Sequence, residues 1–166
     1  MTDRFMAAFT NVVGIEGKYS NNPHDPGGET MYGITVKVAR AFGYLGPMQS
    51  MPMQVACDIY HKQYWTVINA DNLPGALAEF LFDLAVNSGP GTAARALQAA
   101  VGALPDGIIG PHTLTLVAAR TESAIVRLIF VARAKIFAHH PDLATFENGW
   151  FARLFDVTYR FAKEEP

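Results

Sequence analysis

The sequence predicts a mainly α-helical bundle with one small β-hairpin inserted after the first helix. Three observations carry this. Apolar residues recur at helical spacing over most of the 166 residues. The period fails over residues 19–34, where Asn21, Asn22, Pro23, Asp25, Pro26, Gly27 and Gly28 crowd together. Neither a low-complexity segment nor a long-period repeat interrupts the rest.

Taken in order, the first helix is expected over residues 3–16. Phe5, Phe9, Val12 and Val13 fall at i, i+4, i+7 and i+8, Thr2 or Asp3 can cap the start, and Gly17 is placed to end it. Projected at about 100° per residue, Glu16 falls in the middle of that apolar stripe. Short extended pieces near residues 31–34 suit a hairpin. VKVARAFGY returns to helical spacing, and a Gly-, Pro- and Met-rich loop follows. A third helix is expected over residues 53–65, then a turn at 71–75 with Pro74 at a helix start. Residues 76–87 are apolar nearly all round, which predicts a central, mostly buried helix. NSGPG at 87–91 is the strongest break. Helices are expected at 92–101, 113–119, 122–138 and 143–162, with PDGIIGP as the turn after the first of these.

Composition narrows the function classes. Half the residues are hydrophobic and 17% are charged, enough apolar material for a sizeable core and too little charge for a disordered chain. The formal net charge of -2 argues against nucleic acid as the main partner. Cys57 is the single cysteine, so no internal disulfide can form. The first ten residues, MTDRFMAAFT, do not read as a signal peptide, and no stretch approaches the roughly 18 apolar residues of a membrane span, so no stable membrane insertion is expected.

The chemistry-bearing residues sit at the start of the irregular stretch. A carboxyl group shielded by apolar neighbours has a raised pKa and can donate a proton near neutral pH, which is the general-acid half of a glycosidase. Glu16 is the candidate. Asp25, in HDPGGET, is the candidate for a second carboxylate that stays ionised in a hydrated setting, although Asp before Pro-Gly also starts ordinary turns. Paired carboxyl groups stand about 5–5.5 Å apart in retaining glycosidases and about 6.5–9.5 Å apart in inverting ones. The Thr30 hydroxyl, which can donate and accept, suits holding the attacking water. Tyr19, Tyr32, Trp65 and Trp150 are candidates for stacking on sugar rings. Core packing is the stronger reading for the two tryptophans, while Tyr19 and Tyr32 flank the proposed site.

Together, Glu16-Gly17-Lys18-Tyr19 and Asp25-Pro26-Gly27-Gly28-Glu29-Thr30-Met31-Tyr32-Gly33-Ile34 resemble the N-terminal motif of the glycoside hydrolase family 108 muramidases, found in phage endolysins and related bacterial proteins. Lys18 departs from the pattern, which usually has a second glycine there. The Glu, Asp, Thr order also looks like the catalytic trio of phage-type lysozymes. A second resemblance, to a predicted peptidoglycan-binding segment, rests on Val86-Asn87-Ser88-Gly89, Ala96-Leu97-Gln98, Asp106-Gly107-Ile108-Ile109-Gly110-Pro111 and Thr113. The bland reading of that segment is a helix–turn–helix connection, and Asp106 is not nominated as a ligand. The resemblances imply a lysozyme-like fold with the hairpin beside the active-site cleft. They imply a catalytic segment over 1–90, a wall-binding helical segment over 91–166 packed with it into one globule, and hydrolysis of the bond between N-acetylmuramic acid and N-acetylglucosamine. The roles implied are Glu16 as acid, with Asp25 and Thr30 on the water or the transition state, and inversion at the anomeric carbon. No metal or organic cofactor is expected. The expected partner is the peptidoglycan glycan strand, met by a monomer. The expected route is synthesis in a host cytoplasm and action at the periplasm or wall after holin-type release, as in phage-driven lysis.

Other motifs carry less. His24, His61, His112, His139 and His140 show no metal-ligand spacing such as H-E-x-x-H, and GGET lacks the Gly-Lys-Ser/Thr of a phosphate loop. Cys57 and His61 lie one helical turn apart, but a small buried cysteine explains the former better than a thiol–imidazole pair. Arg127, Arg133, Lys135, Arg153 and Arg160 read as a solvated face rather than a membrane contact. Two rival functions remain: a lytic transglycosylase, and a non-catalytic wall-binding component of a virion or secretion machine.

Overall fold

The computed structural model describes residues 2–14, 19–21 and 28–138. Among them are seven α-helices and one two-stranded antiparallel sheet, a mainly α fold of the lysozyme-like class the sequence predicts. The chain divides into two compact units, Met1–Thr66 and Val67–Pro166.

In the first unit, α1 (Asp3–Val13) begins at Thr2, whose hydroxyl accepts the Phe5 amide at 3.4 Å. Phe5, Ala8 and Phe9 are its buried face. It ends earlier than the periodicity suggests. Gly14 takes φ 73° and returns its N–H to the Thr10 carbonyl, so the helix stops at Val13. Glu16, which the helical projection places in the apolar stripe, lies outside the described residues.

The hairpin consists of β1 (Thr30–Met31) and β2 (Ile34–Thr35), with Thr30 opposite Thr35 and Met31 opposite Ile34. Its two central residues, Tyr32 and Gly33, both have positive φ, 52° and 74°. That is the twist of a two-residue hairpin turn matched to right-handed strands. Thr35 then caps α2 (Val36–Phe42) by accepting the Val38 amide, so one residue closes the sheet and opens the helix. A 3₁₀ turn at Met48–Ser50 leads to α3 (Met53–Tyr60). The helix expected to run on to residue 65 changes type at His61. There the Thr66 amide bonds the His61 carbonyl five residues back, one wide π-type turn over His61–Trp65. Trp65 enters the core at this turn. It is 1% exposed, with its ring 5.4 Å from that of Phe5.

The second unit is built on α4 (Gly75–Ser88), the central buried helix expected, with Leu77, Phe80, Leu81, Phe82 and Leu84 all in the core. Burying each such side chain contributes about 1.5–3 kcal/mol. Its first turn is closed by a side chain from far along the sequence, since Glu122 accepts the Leu77 amide at 3.1 Å. Gly89 ends it, and Pro90 opens α5 (Pro90–Val101), where a missing amide hydrogen costs nothing. Proline does the same at α6 (Pro111–Ala118), so both helices start two residues ahead of expectation. Helix α7 (Glu122–Ala138) spans the predicted range. Arg133 of α7 reaches the buried Asp83 at 3.7 Å, and Asn87 donates to the Asp83 carbonyl and carboxylate. Arg133 is thus a buried partner of Asp83, a correction to its expected place on a solvated face. The helix expected at 143–162 and Trp150 lie outside the described residues. No described helix is long and apolar enough to cross a membrane.

Candidate active site

The hairpin is the frame of the site. Ser20 and Thr30 exchange both backbone hydrogen bonds, at 2.9 and 2.8 Å. This bridge ties together the two positions that flank the stretch bearing Asp25. Thr30 therefore has its backbone fixed from both sides, by Ser20 and by Thr35 of β2. Its half-buried hydroxyl donates to the Gly28 carbonyl at 3.2 Å. With the proton engaged there, what the Thr30 oxygen offers a ligand is its lone pairs.

Tyr19 is adjacent. Its half-buried phenol donates to the Glu29 carboxylate at 2.7 Å, a short charge-assisted bond next to the Ser20–Thr30 bridge. Tyr32 stands at the hairpin turn, also half-buried, in a left-handed conformation uncommon for a bulky side chain. Tyr19, Thr30 and Tyr32 are thus gathered on one hairpin frame. Glu16 and Asp25, the two expected carboxylates, lie outside the described residues.

Two contributors escaped the sequence reading. Glu29 lies inside the turn-rich motif, whose composition signals only a loop, and its bond to Tyr19 spans ten residues without a sequence mark. Tyr60 lies in the apolar run of α3 and is nearly buried, so its pattern signals core. Its ring packs on Phe9 and stacks on Tyr64, while its hydroxyl donates to the Tyr32 carbonyl at 3.0 Å.

The D-G-x-x-G turn of the second unit is organised around Gln98, which is 1% exposed. The Gln98 amide donates to Asp106 at 2.6 Å, to the Ile108 carbonyl at 3.0 Å and, more weakly, to Thr113 at 3.5 Å. Its oxygen accepts the Gly107 amide at 2.8 Å. The same Asp106 oxygen accepts the Ile108 amide. The bond from Gln98 and then that from Ile108 hold the Asp106 carboxyl below the usual aspartate range. The motif residues here serve the turn itself.

Cys57 is buried, with its sulfur 3.5 Å from that of Met6. Burial and then the charge of Asp58 push its thiol up. The His61 ring instead lies edge-on to Phe5 at 4.7 Å. Among the described residues no three His, Cys, Asp or Glu side chains converge as a metal site would require.

Residues 9–89 match the family model described as glycosyl hydrolase 108. The chain is also similar to the solved structure of Brucella abortus SagA, at 32% identity and a TM-score of 0.84, over 96% of this chain and 94% of that one. No curated protein matches.

Proposed function

Because the chain belongs to the glycosyl hydrolase 108 family, we propose that this glycoside hydrolase is a muramidase that cuts peptidoglycan between N-acetylmuramic acid and N-acetylglucosamine. The observation that carries the reading is the Glu16, Asp25, Thr30 trio inside the matched region 9–89, with Thr30 fixed in a hairpin by pairing on both sides.

In this mechanism Glu16 protonates the leaving oxygen. A water on the opposite face of the sugar gives one hydrogen bond to the Asp25 carboxylate and one to the Thr30 oxygen. Both its protons are then engaged and a lone pair faces the anomeric carbon. The bond of the Thr30 hydroxyl to Gly28 supports this assignment, since it leaves Thr30 as an acceptor. Asp25 takes the water's proton as the new C–O bond forms, which gives inversion. Tyr19 and Tyr32 are the residues proposed to stack on the sugar, following the motif. The chemistry needs no metal or organic cofactor.

The division of labour proposed is catalysis by residues 1–90 and wall binding by 91–166, following the motifs. The setting proposed is a phage endolysin acting as a monomer on glycan strands at the periplasm or wall after holin-type release.

Digestion of purified sacculi tests the reading. The wild type should clear turbidity and release new reducing ends, and Glu16→Gln should abolish both while keeping the fold. Clearing near the wild-type rate by Glu16→Gln refutes the acid assignment. Products with anhydro-muramic ends point to a lytic transglycosylase instead. Sedimentation with sacculi without any new reducing ends points to a binding protein.

A further inference from the structure

We propose that Tyr60 is a positioning residue that sets the place of Thr30 by seating the hairpin turn. The inference rests on Thr30 acting in the hydrolysis proposed above.

Three observations converge on the Tyr60 hydroxyl. It donates to the Tyr32 carbonyl at 3.0 Å, across 28 residues of sequence. Tyr32 holds φ 52°, a conformation that a bulky side chain adopts at a cost and that its surroundings must impose. A Cβ at Gly33 would stand 2.7 Å from the same hydroxyl, closer than such atoms approach one another, so the turn and the phenol fit together only with glycine there. The ring behind the hydroxyl is itself fixed, 5.5 Å from Phe9 of α1 and stacked 5.4 Å from Tyr64 in the wide turn after α3. Phe9 of α1 and Tyr64 therefore hold the ring, and the oxygen at its tip grips the turn.

The turn needs such a grip. Each strand is only two residues long, and a short hairpin is marginal on its own. A slip of one residue in the register would move Thr30 to the other face. Hydroxyls that orient water act over tenths of an ångström, so the rate is sensitive to looseness that global stability tolerates.

Tyr60→Phe removes the hydroxyl and keeps the ring packing, so the fold should persist. The expected result on purified sacculi is a kcat lower by about fivefold, the equivalent of one ordinary hydrogen bond, at unchanged KM. Hydrogen exchange over residues 30–35 should accelerate while that of α1 stays as in the wild type. The decisive readout is coupling: Thr30→Val with Tyr60→Phe should be no slower than Thr30→Val alone, because the hydroxyl acts through Thr30. A wild-type kcat for Tyr60→Phe, or a double variant slower by the full product of the single effects, overturns the inference and leaves the muramidase reading intact. A wild-type rate for Thr30→Val alone overturns the role of Thr30 and this inference with it, and that result is visible before Tyr60 is touched.

Discussion

The hairpin at Thr30–Thr35 and the turn at 103–110 are both short, polar, glycine-bearing connections, yet they are held in opposite ways. In the turn, a buried amide sits at the centre. Gln98 bonds Asp106, Gly107, Ile108 and Thr113, so the polar groups of the motif face one another. In the hairpin, the grip comes from a phenol of α3 and falls on backbone at the turn, while away from the turn the Tyr19 phenol bonds Glu29 and the Thr30 hydroxyl bonds the Gly28 carbonyl. Mutual bonding among the polar groups of the motif makes a fixed corner. A hairpin held by its backbone leaves its side chains available for chemistry. Two glycine-bearing motifs are thus held in two different ways.

The comparison breaks most readily at Glu16. Glu16→Gln should lower the rate of clearing by at least about 100-fold with no change in melting temperature. On the other side, Gln98→Ala should destabilise the protein by about 2–3 kcal/mol, because it strands several polar partners of a buried group, and denaturant unfolding measures it. The rate per folded molecule should stay at the wild-type value, and a matching loss of rate would mean that the corner belongs to the site. Thr30→Val should slow turnover about tenfold by leaving the water with one acceptor, read as kcat on sacculi. Tyr19→Phe sharpens the contrast further. It frees Glu29 and should cost about twofold to fivefold in rate, the range of one half-buried hydrogen bond.

The smallest expected effect concerns pH. The folded Asp106 carboxyl is held below its ordinary range, so its contribution to the turn is present above that range and lost as pH falls through the folded value. Asp106→Asn should flatten that acid limb in a melting-temperature profile, and the activity profile should keep its shape.

Most of the helical framework was legible because period and punctuation agree. Pro74, Pro90 and Pro111 mark helix starts, and α7 spans 122–138 as expected. Helices α5 and α6 start two residues ahead of expectation because the preset φ of Pro90 and Pro111 opens each helix before its apolar period begins. Helix α1 was read too long because Gly14 was passed over in favour of Gly17. The apolar period continues past Val13, whereas the positive φ of Gly14 ends the hydrogen-bond ladder. Arg133 was read as solvated because charge in an amphipathic helix normally faces water, while its partner Asp83 lies 50 positions away. Tyr60 is the clearest case of a contact the pattern conceals. Its ring satisfies the core period of α3, and only the three-dimensional fit of its hydroxyl to Tyr32 and Gly33 shows what the polar end does.

The central claim is that the chain hydrolyses peptidoglycan at the N-acetylmuramic acid side of the glycosidic bond, with water held at the hairpin. Mass spectrometry of muropeptides released from purified sacculi in ¹⁸O-labelled water tests this most directly. The account predicts fragments with reducing N-acetylmuramic acid ends that carry the label. Anhydro-muramic ends without label, or reducing N-acetylglucosamine ends, would contradict it.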